Sequence, residues 1–257
     1  NGVIEMALTN KERAMAFLIS FETGDREIIE NGVSENYKPH YPDVGDGKNA
    51  LIEFFDQIQT MELKVEVRRA LEDGKYVAVH SEYSGSMIVI DILRFENGKI
   101  VEHWANGQDK IEKTASGHSM IGGSTEIEDL EKTNDNKALL KELVEDVFIG
   151  GDYGKMSLLF NDDNYIQHNP NFADGLSGLL KGLEEMAKKG QEMKFTKNHM
   201  ILGEGNFVLS VSEGNYNGEH VSFYDLFRID KGKFVEHWDV IEPIKPLEEW
   251  KNQNGKF

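Results

Sequence analysis

The sequence predicts an α+β protein made of two tandem copies of one unit, each with N-terminal helices packed on a curved antiparallel sheet. Three observations carry that reading. The 257 residues are about twice the roughly 100–150 of a common domain. Long blocks of sequence recur at a nearly constant offset. Within each copy helical periodicity comes first and strand alternation follows, the element order of an α+β fold.

The repeat is explicit. Tyr37-Lys38-Pro39-His40-Tyr41-Pro42, continuing through Asp46-Gly47 to Leu51, returns 128 residues later as Tyr165-Ile166-Gln167-His168-Asn169-Pro170, Asp174-Gly175 and Leu179, with six of fifteen positions identical. Leu71 to Tyr76 matches Leu202 to Phe207 at an offset of 131, and Asp91 to Trp104 matches Asp225 to Trp238 at 134, with eight of fourteen identical. The offset grows between matching blocks, which places the insertions in loops. The reading is a first domain over 1–113, a linker over 114–133 and a second domain over 134–257. Thr114 to Ser124 is small, polar and Gly-rich, and an acidic stretch from Glu126 to Glu131 follows.

Both copies read alike. Thr9 or Asn10 caps a first helix running to about Glu22, with Ala14, Phe17, Leu18 and Phe21 at spacings of three and four. Asn134 or Asp135 does the same for Leu139, Leu140, Leu143 and Val147, and both helices run into Gly-Asp. A short second helix precedes the Tyr-x-x-His loop. A third follows the Asp-Gly turn, carrying Leu51, Phe54, Phe55 and Ile58 or Leu179, Leu180, Leu183 and Met186. Alternating segments such as Lys75 to Tyr83 and Phe207 to Glu213 supply the strands, and Glu-Asn-Gly-Lys and Asp-Lys-Gly-Lys turns join the last two.

Composition excludes whole classes of function. Lys and Arg number 28 against 46 Asp and Glu, a net charge of -18, which repels phosphate backbones and anionic lipid. Nucleic acid and membrane partners are not expected. The chain has no Cys, so disulfides, thiolate nucleophiles and Cys-ligated metals are excluded. Asn1 to Leu8 has neither a basic region nor a long apolar one, and the expectation is a soluble cytoplasmic protein.

The last hairpin brings candidate chemistry together. With Gly232 at the left-handed position of a three-residue loop, Asp225 lies opposite His237 and Phe223 opposite Asp239. Phe223, Asp225, Phe227, Val235, His237 and Asp239 then share one face, and Arg228, Glu236 and Trp238 the other. A two-residue turn shifts that register but leaves His237 and Asp239 on a common face. The first copy is an internal control: it has Asp91, His103 and His40, but Ala105 where the second has Asp239. That difference singles out Asp239 as a general base, its pKa raised by an apolar setting. His168 is the second catalytic candidate, as carbonyl polariser or proton shuttle, and His237 the third. A bland reading stands beside these, in which Asp225 and His237 are a satisfied buried pair and His168 caps a turn at Asn169-Pro170. His168, His237 and Asp239 also form a conceivable metal set without supporting spacing, so no metal and no cofactor is expected.

The Tyr165 to Pro170 motif, Asp174-Gly175 and Glu236-His237-Trp238-Asp239-Val240 resemble the SnoaL-like polyketide cyclase family, within the nuclear transport factor 2-like or ketosteroid isomerase-like fold. The resemblance covers residues 134–245 and is looser in the first copy, which departs at Pro39, Tyr41, Ala105, Asn106 and Gly107. It implies a cystatin-like α+β cone with a buried pocket for a hydrophobic small molecule, and cofactor-independent acid/base chemistry such as aldol-type cyclisation or isomerisation. It also implies Asp239 as the catalytic acid/base; Asp225, Phe223, Phe227 and Tyr165 are the substrate-binding candidates. A non-catalytic small-molecule-binding protein of the same fold is the alternative. The two copies are expected to pair as an intramolecular pseudo-dimer, the first divergent and the second carrying the active pocket, and a further homodimer is allowed.

Overall fold

The structure is a computed structural model describing residues 7–257. Most of the Asn1–Leu8 stretch, read above for targeting features, lies outside the described residues. The first copy contains helices α1 (Asn10–Thr23), α2 (Arg26–Gly32) and α3 (Lys48–Ile58) and strands β1 (Val33–Pro39), β2 (Val65–Asp73), β3 (Tyr76–Tyr83), β4 (Met87–Glu96) and β5 (Lys99–Asp109). The second contains α4 (Thr133–Glu142), which continues as a π-helical stretch over Leu143–Ile149, then α5 (Met156–Leu159) and α6 (Gly175–Lys188). Its strands are β6 (Ile166–Gln167), β7 (Met193–Glu204), β8 (Phe207–Tyr216), β9 (Glu219–Asp230) and β10 (Lys233–Pro243).

Each copy forms a five-stranded sheet of the same order, β1-β5-β4-β3-β2 and β6-β10-β9-β8-β7. The Tyr-x-x-His segment, read as a loop, begins as an edge strand parallel to β5 or β10. The sheets are therefore mixed. Thr9 caps α1 through a capping box with Glu12, whose backbone N–H donates to Thr9 Oγ1 at 3.1 Å while Thr9 N donates to Glu12 Oε1 at 3.0 Å. Gly24 ends that helix at φ 78°, a conformation that favours glycine. In the second copy the helix starts at Thr133, before the expected Asn134 or Asp135, with no side-chain cap.

The concave faces bury α1 against Val77, Val79 and Leu93 and α4 against Val208, Phe227 and Phe234. The opposite faces meet. Ile88, Ile90, Ile92 and Trp104 of the first sheet form one buried cluster with Leu209, Tyr224, Leu226 and Trp238 of the second. Met120 and Ile121 join it from the 114–133 segment, so that stretch is packed rather than loose. Arg69 crosses the seam, its guanidinium 4.4 Å from the Trp238 ring centroid. Asn106 Nδ2 donates to Ser222 O at 2.9 Å and Val240 O at 3.0 Å. Among the described residues no helix is long and apolar enough to cross a membrane.

Ile90 is 1% exposed in this cluster. Ile90→Ala is expected to cost about 2–5 kcal/mol through lost burial and a residual cavity. Because both sheets share the cluster, far-UV circular dichroism and tryptophan fluorescence should report one coincident, lowered transition.

Candidate functional site

The β9–β10 hairpin sets the geometry of the second copy. Lys231 and Gly232 both have positive φ, at 50° and 73°, making a two-residue turn rather than the three-residue loop. A bulge between Phe234 and Glu236 then adds one residue, so Asp239 lies opposite Asp225 and Phe223 opposite Ile241. The two departures offset each other in parity. Asp225, Phe227, His237 and Asp239 still share the concave face, with Phe234 packed there instead of Val235.

His237 Nε2 lies 2.8 Å from Asp225 Oδ1 and 3.9 Å from Asp239 Oδ2. Its Nδ1 meets Gln167 Oε1 at 2.7 Å. The same oxygen accepts the backbone N–H groups of His168 at 3.1 Å and Asn169 at 3.0 Å, which fixes the amide orientation and makes Nδ1 the donor. Asn169 Nδ2 donates to Asp239 Oδ2 at 2.7 Å. Asp225 Oδ2, Asp239 Oδ1 and Gln167 Nε2 are buried without partners. Burial pushes Asp239 up to about 6, with Asp225 adding to the shift and His237 and Asn169 opposing it. Burial also works against protonation of His237, but the Asp225 hydrogen bond and both carboxylate charges outweigh it and raise its pKa. Tyr165 is buried against Phe160, ring centroids 4.9 Å apart, and Phe223 stacks on Phe195 at 4.1 Å.

His168 does not join this group. Gln167 pairs with His237 and points to the concave face, so His168, one residue on, takes the other. Its Nε2 meets Glu236 Oε2 at 2.7 Å and its ring stacks on Trp238 at 4.9 Å. Arg228 Nε donates to Glu236 at 2.8 Å. Burial would raise the Glu236 pKa, but His168 and Arg228 outweigh it and hold the group near 2. The first copy repeats the arrangement with His40, Glu102, Arg94 and Trp104, which marks it as architecture. The side chains sequence reasoning missed are Gln167 and Asn169. Period-two alternation from Tyr165 through Gln167 to Asn169 was the signal for both.

Asp225, His237 and Asp239 each offer a ligand atom within 4.8 Å of the others. This oxygen-rich set has the chemistry for a hard or borderline divalent cation, whereas the set that includes His168 is divided between two faces.

The first copy holds a different concave site. His103 Nε2 lies 2.7 Å from Asp91 Oδ1, and its Nδ1 lies 2.7 Å from the Tyr37 hydroxyl, itself 2.7 Å from the Tyr41 hydroxyl. Tyr83 donates to the remaining Asp91 oxygen. Burial raises the pKa of Tyr37, Tyr41 and Tyr83, so these hydroxyls keep their protons. Tyr41, Tyr83, Asp91 and His103 face a cavity of about 480 Å³ with apolar walls that include Phe21, Phe54 and Val89. Where the active pocket was read into the second copy, this cavity lies in the first.

Residues 14–103 match the family described as SnoaL-like domain. The first copy is similar to a SnoaL-like domain over most of its length. The match thus falls on the copy whose motifs looked the more divergent. No curated protein matches the chain. Similar solved structures include IdmH from Streptomyces antibioticus, a polyketide cyclase candidate, at 17% identity over 39% of this chain and 93% of that one, TM-score 0.36. An NTF2-like protein of unknown function from Cytophaga hutchinsonii matches at 16% identity over 40% and 94%, TM-score 0.36. A cystatin-like protein of unknown function from Xanthomonas campestris matches at 22% over 41% and 89%, TM-score 0.36.

Asp239 holds its proton more tightly in the folded chain than in the unfolded one, whose ordinary value is 3.8. Its ionisation therefore subtracts stability as pH rises from about 4 through 6. Asp239→Asn removes that charge and places an N–H beside Asp225. The variant should match the parent near pH 4 and exceed it by about 2–3 kcal/mol at pH 8, read from urea denaturation at both pH values. A variant less stable at pH 8 would show that the carboxylate is compensated.

Proposed function

We propose that the SnoaL-like first copy binds a small hydrophobic carbonyl compound in its cavity and acts on it by cofactor-independent acid/base chemistry, of the kind used in aldol-type cyclisation or isomerisation. The observation that carries this reading is an apolar cavity of about 480 Å³ in which an Asp, a His and two Tyr hydroxyls converge. That volume suits a small organic molecule, and apolar walls with few polar groups fix its orientation. Asp91, bonded to His103 and Tyr83, is placed to take a proton next to the carbonyl. The Tyr41 hydroxyl, which burial keeps protonated, can donate to the developing enolate oxygen. His103 positions Asp91 through Nε2 and is linked to Tyr41 through Tyr37.

A second reading keeps the chemistry in the second copy. Asp239 favours it, buried, with one oxygen unpartnered and its pKa near 6. There Gln167 and Asn169, rather than His168, surround the acid/base group. A third outcome is binding without turnover.

Deuterium uptake by 2-tetralone in D₂O, followed by NMR, separates these readings. Exchange above the buffer rate is expected, with Asp91→Asn lowering it about a hundredfold and Asp239→Asn leaving it unchanged. The reverse pattern moves the chemistry to the second copy. Retained binding with no exchange in any form makes the protein a binder.

A further inference from the structure

After β10 the chain leaves the second sheet and crosses back over the first copy. Lys251 N donates to Pro42 O at 2.9 Å, and Asn252 Nδ2 donates to Tyr41 O at 2.8 Å and Val44 O at 2.9 Å. Asn254 Nδ2 donates to Pro39 O at 2.9 Å, and Gly255 O meets His40 Nδ1 at 2.8 Å. These bonds run along the Pro39–Val44 segment that carries Tyr41, and they seat Ile244, Trp250 and Lys256 as a wall of the first-copy cavity. The cavity is composite: its floor comes from one copy and part of its rim from the other.

Lys256 is the unusual member. Its side chain is 2% exposed, an arrangement that costs free energy for an ammonium unless it is paired. Nζ donates to Ala105 O at 2.6 Å and to Glu242. Glu242 is held in turn by Gly107 N at 3.2 Å. An ammonium has three donors, so one remains after these two bonds. Ala105 is the counterpart of Asp239. At the point where the second copy places a carboxylate, the first has only a methyl group, and an ammonium from the crossing segment occupies the neighbourhood. Burial lowers the Lys256 pKa, with Glu242 opposing that shift.

We infer that Lys256 is the ligand-anchoring cation of the first-copy cavity, and that the cavity takes an apolar ligand bearing a carboxylate. The inference rests on the cavity reading proposed above and adds a polarity to it. The carboxylate sits at Lys256 and the reacting carbonyl at Tyr41 and Asp91, with the apolar walls between. A ligand carboxylate completes the third Lys256 bond, whereas a neutral alcohol of the same length lacks the charge that strengthens it.

Decanoate and decan-1-ol test this as a matched pair, by isothermal titration calorimetry and by quenching of Trp250, which lines the cavity while Trp104 and Trp238 lie in the cluster between the sheets. Decanoate is expected to bind about tenfold more tightly than the alcohol, a preference erased in Lys256→Met and retained in Lys256→Arg. Equal affinity in the parent overturns the inference and leaves the cavity reading standing. Equal weakening of both ligands in Lys256→Met, at unchanged melting temperature, also overturns it, because Lys256 then only ties the segment down. No binding of either ligand overturns both readings.

Discussion

Burial of one sheet face against the other is the constraint from which the rest of the molecule follows. A five-stranded sheet has two faces, and here the face opposite the concave one carries an apolar stripe on the central strands of each copy. Ile88, Ile90 and Ile92 would be an exposed greasy stripe on an isolated first copy, as would Tyr224, Leu226 and Trp238 on the second. Mutual packing removes both stripes from water, and once those faces are committed only the concave sides remain for chemistry. The same seam explains the polar groups that enter it. Asn106 donates to two backbone carbonyls of the other copy, and Arg69 covers Trp238 while donating to Ile121 O and Gly122 O. These amide and guanidinium donors find carbonyl partners inside the seam, because an unmatched one would cost more than it contributes.

Much of this was legible in the sequence, for reasons that can be traced residue by residue. Offsets of 128 to 134 exposed the duplication because Tyr, His, Asp-Gly and Glu-His-Trp hold positions where geometry tolerates little else. Period-two alternation put His237 and Asp239 on one face, and that survived an error in the turn. Parity alone could not reveal that Val235 bulges, since a bulge is a local accommodation of twist and carries no composition signal here. The misplacement of His168 had another origin. It was read as part of the loop ahead of the third helix, whereas the edge strand β6 turns Gln167 inward and leaves His168 on the other face.

The location of the cavity was not legible, because volume depends on which side chains meet across the sheet. By the repeat offsets Val89 of the first copy corresponds to Phe223, which stacks on Phe195. Tyr83 corresponds to Gly214, where an added Cβ would lie 1.9 Å from Lys194 O. Here backbone closes to a distance that no side chain allows, and Phe223 and Phe195 occupy the concave face. In the first copy the smaller Val89 leaves space, and the segment after β10 roofs it. That last contribution crosses 151 residues of sequence, from Lys256 to Ala105, and no local pattern announces it.

The two copies have diverged in opposite directions about one point. Both keep an Asp–His pair on the last hairpin. The first caps its Asp with a Tyr hydroxyl, replaces the following carboxylate with Ala105 and admits an ammonium. The second lacks the Tyr, because Gly214 stands there, and adds Asp239. One change removes a hydrogen-bond donor from the pair and the other adds negative charge, and both act on the same few ångströms. The result is a satisfied network facing a cavity in one copy and an under-satisfied, closely packed carboxylate pair in the other. A buried pair left in that condition costs stability unless something supplies the missing positive charge or proton. In the second copy a proton meets that demand only as pH falls through about 6, which is what the raised Asp239 pKa expresses. The first copy meets it with hydroxyls already in place.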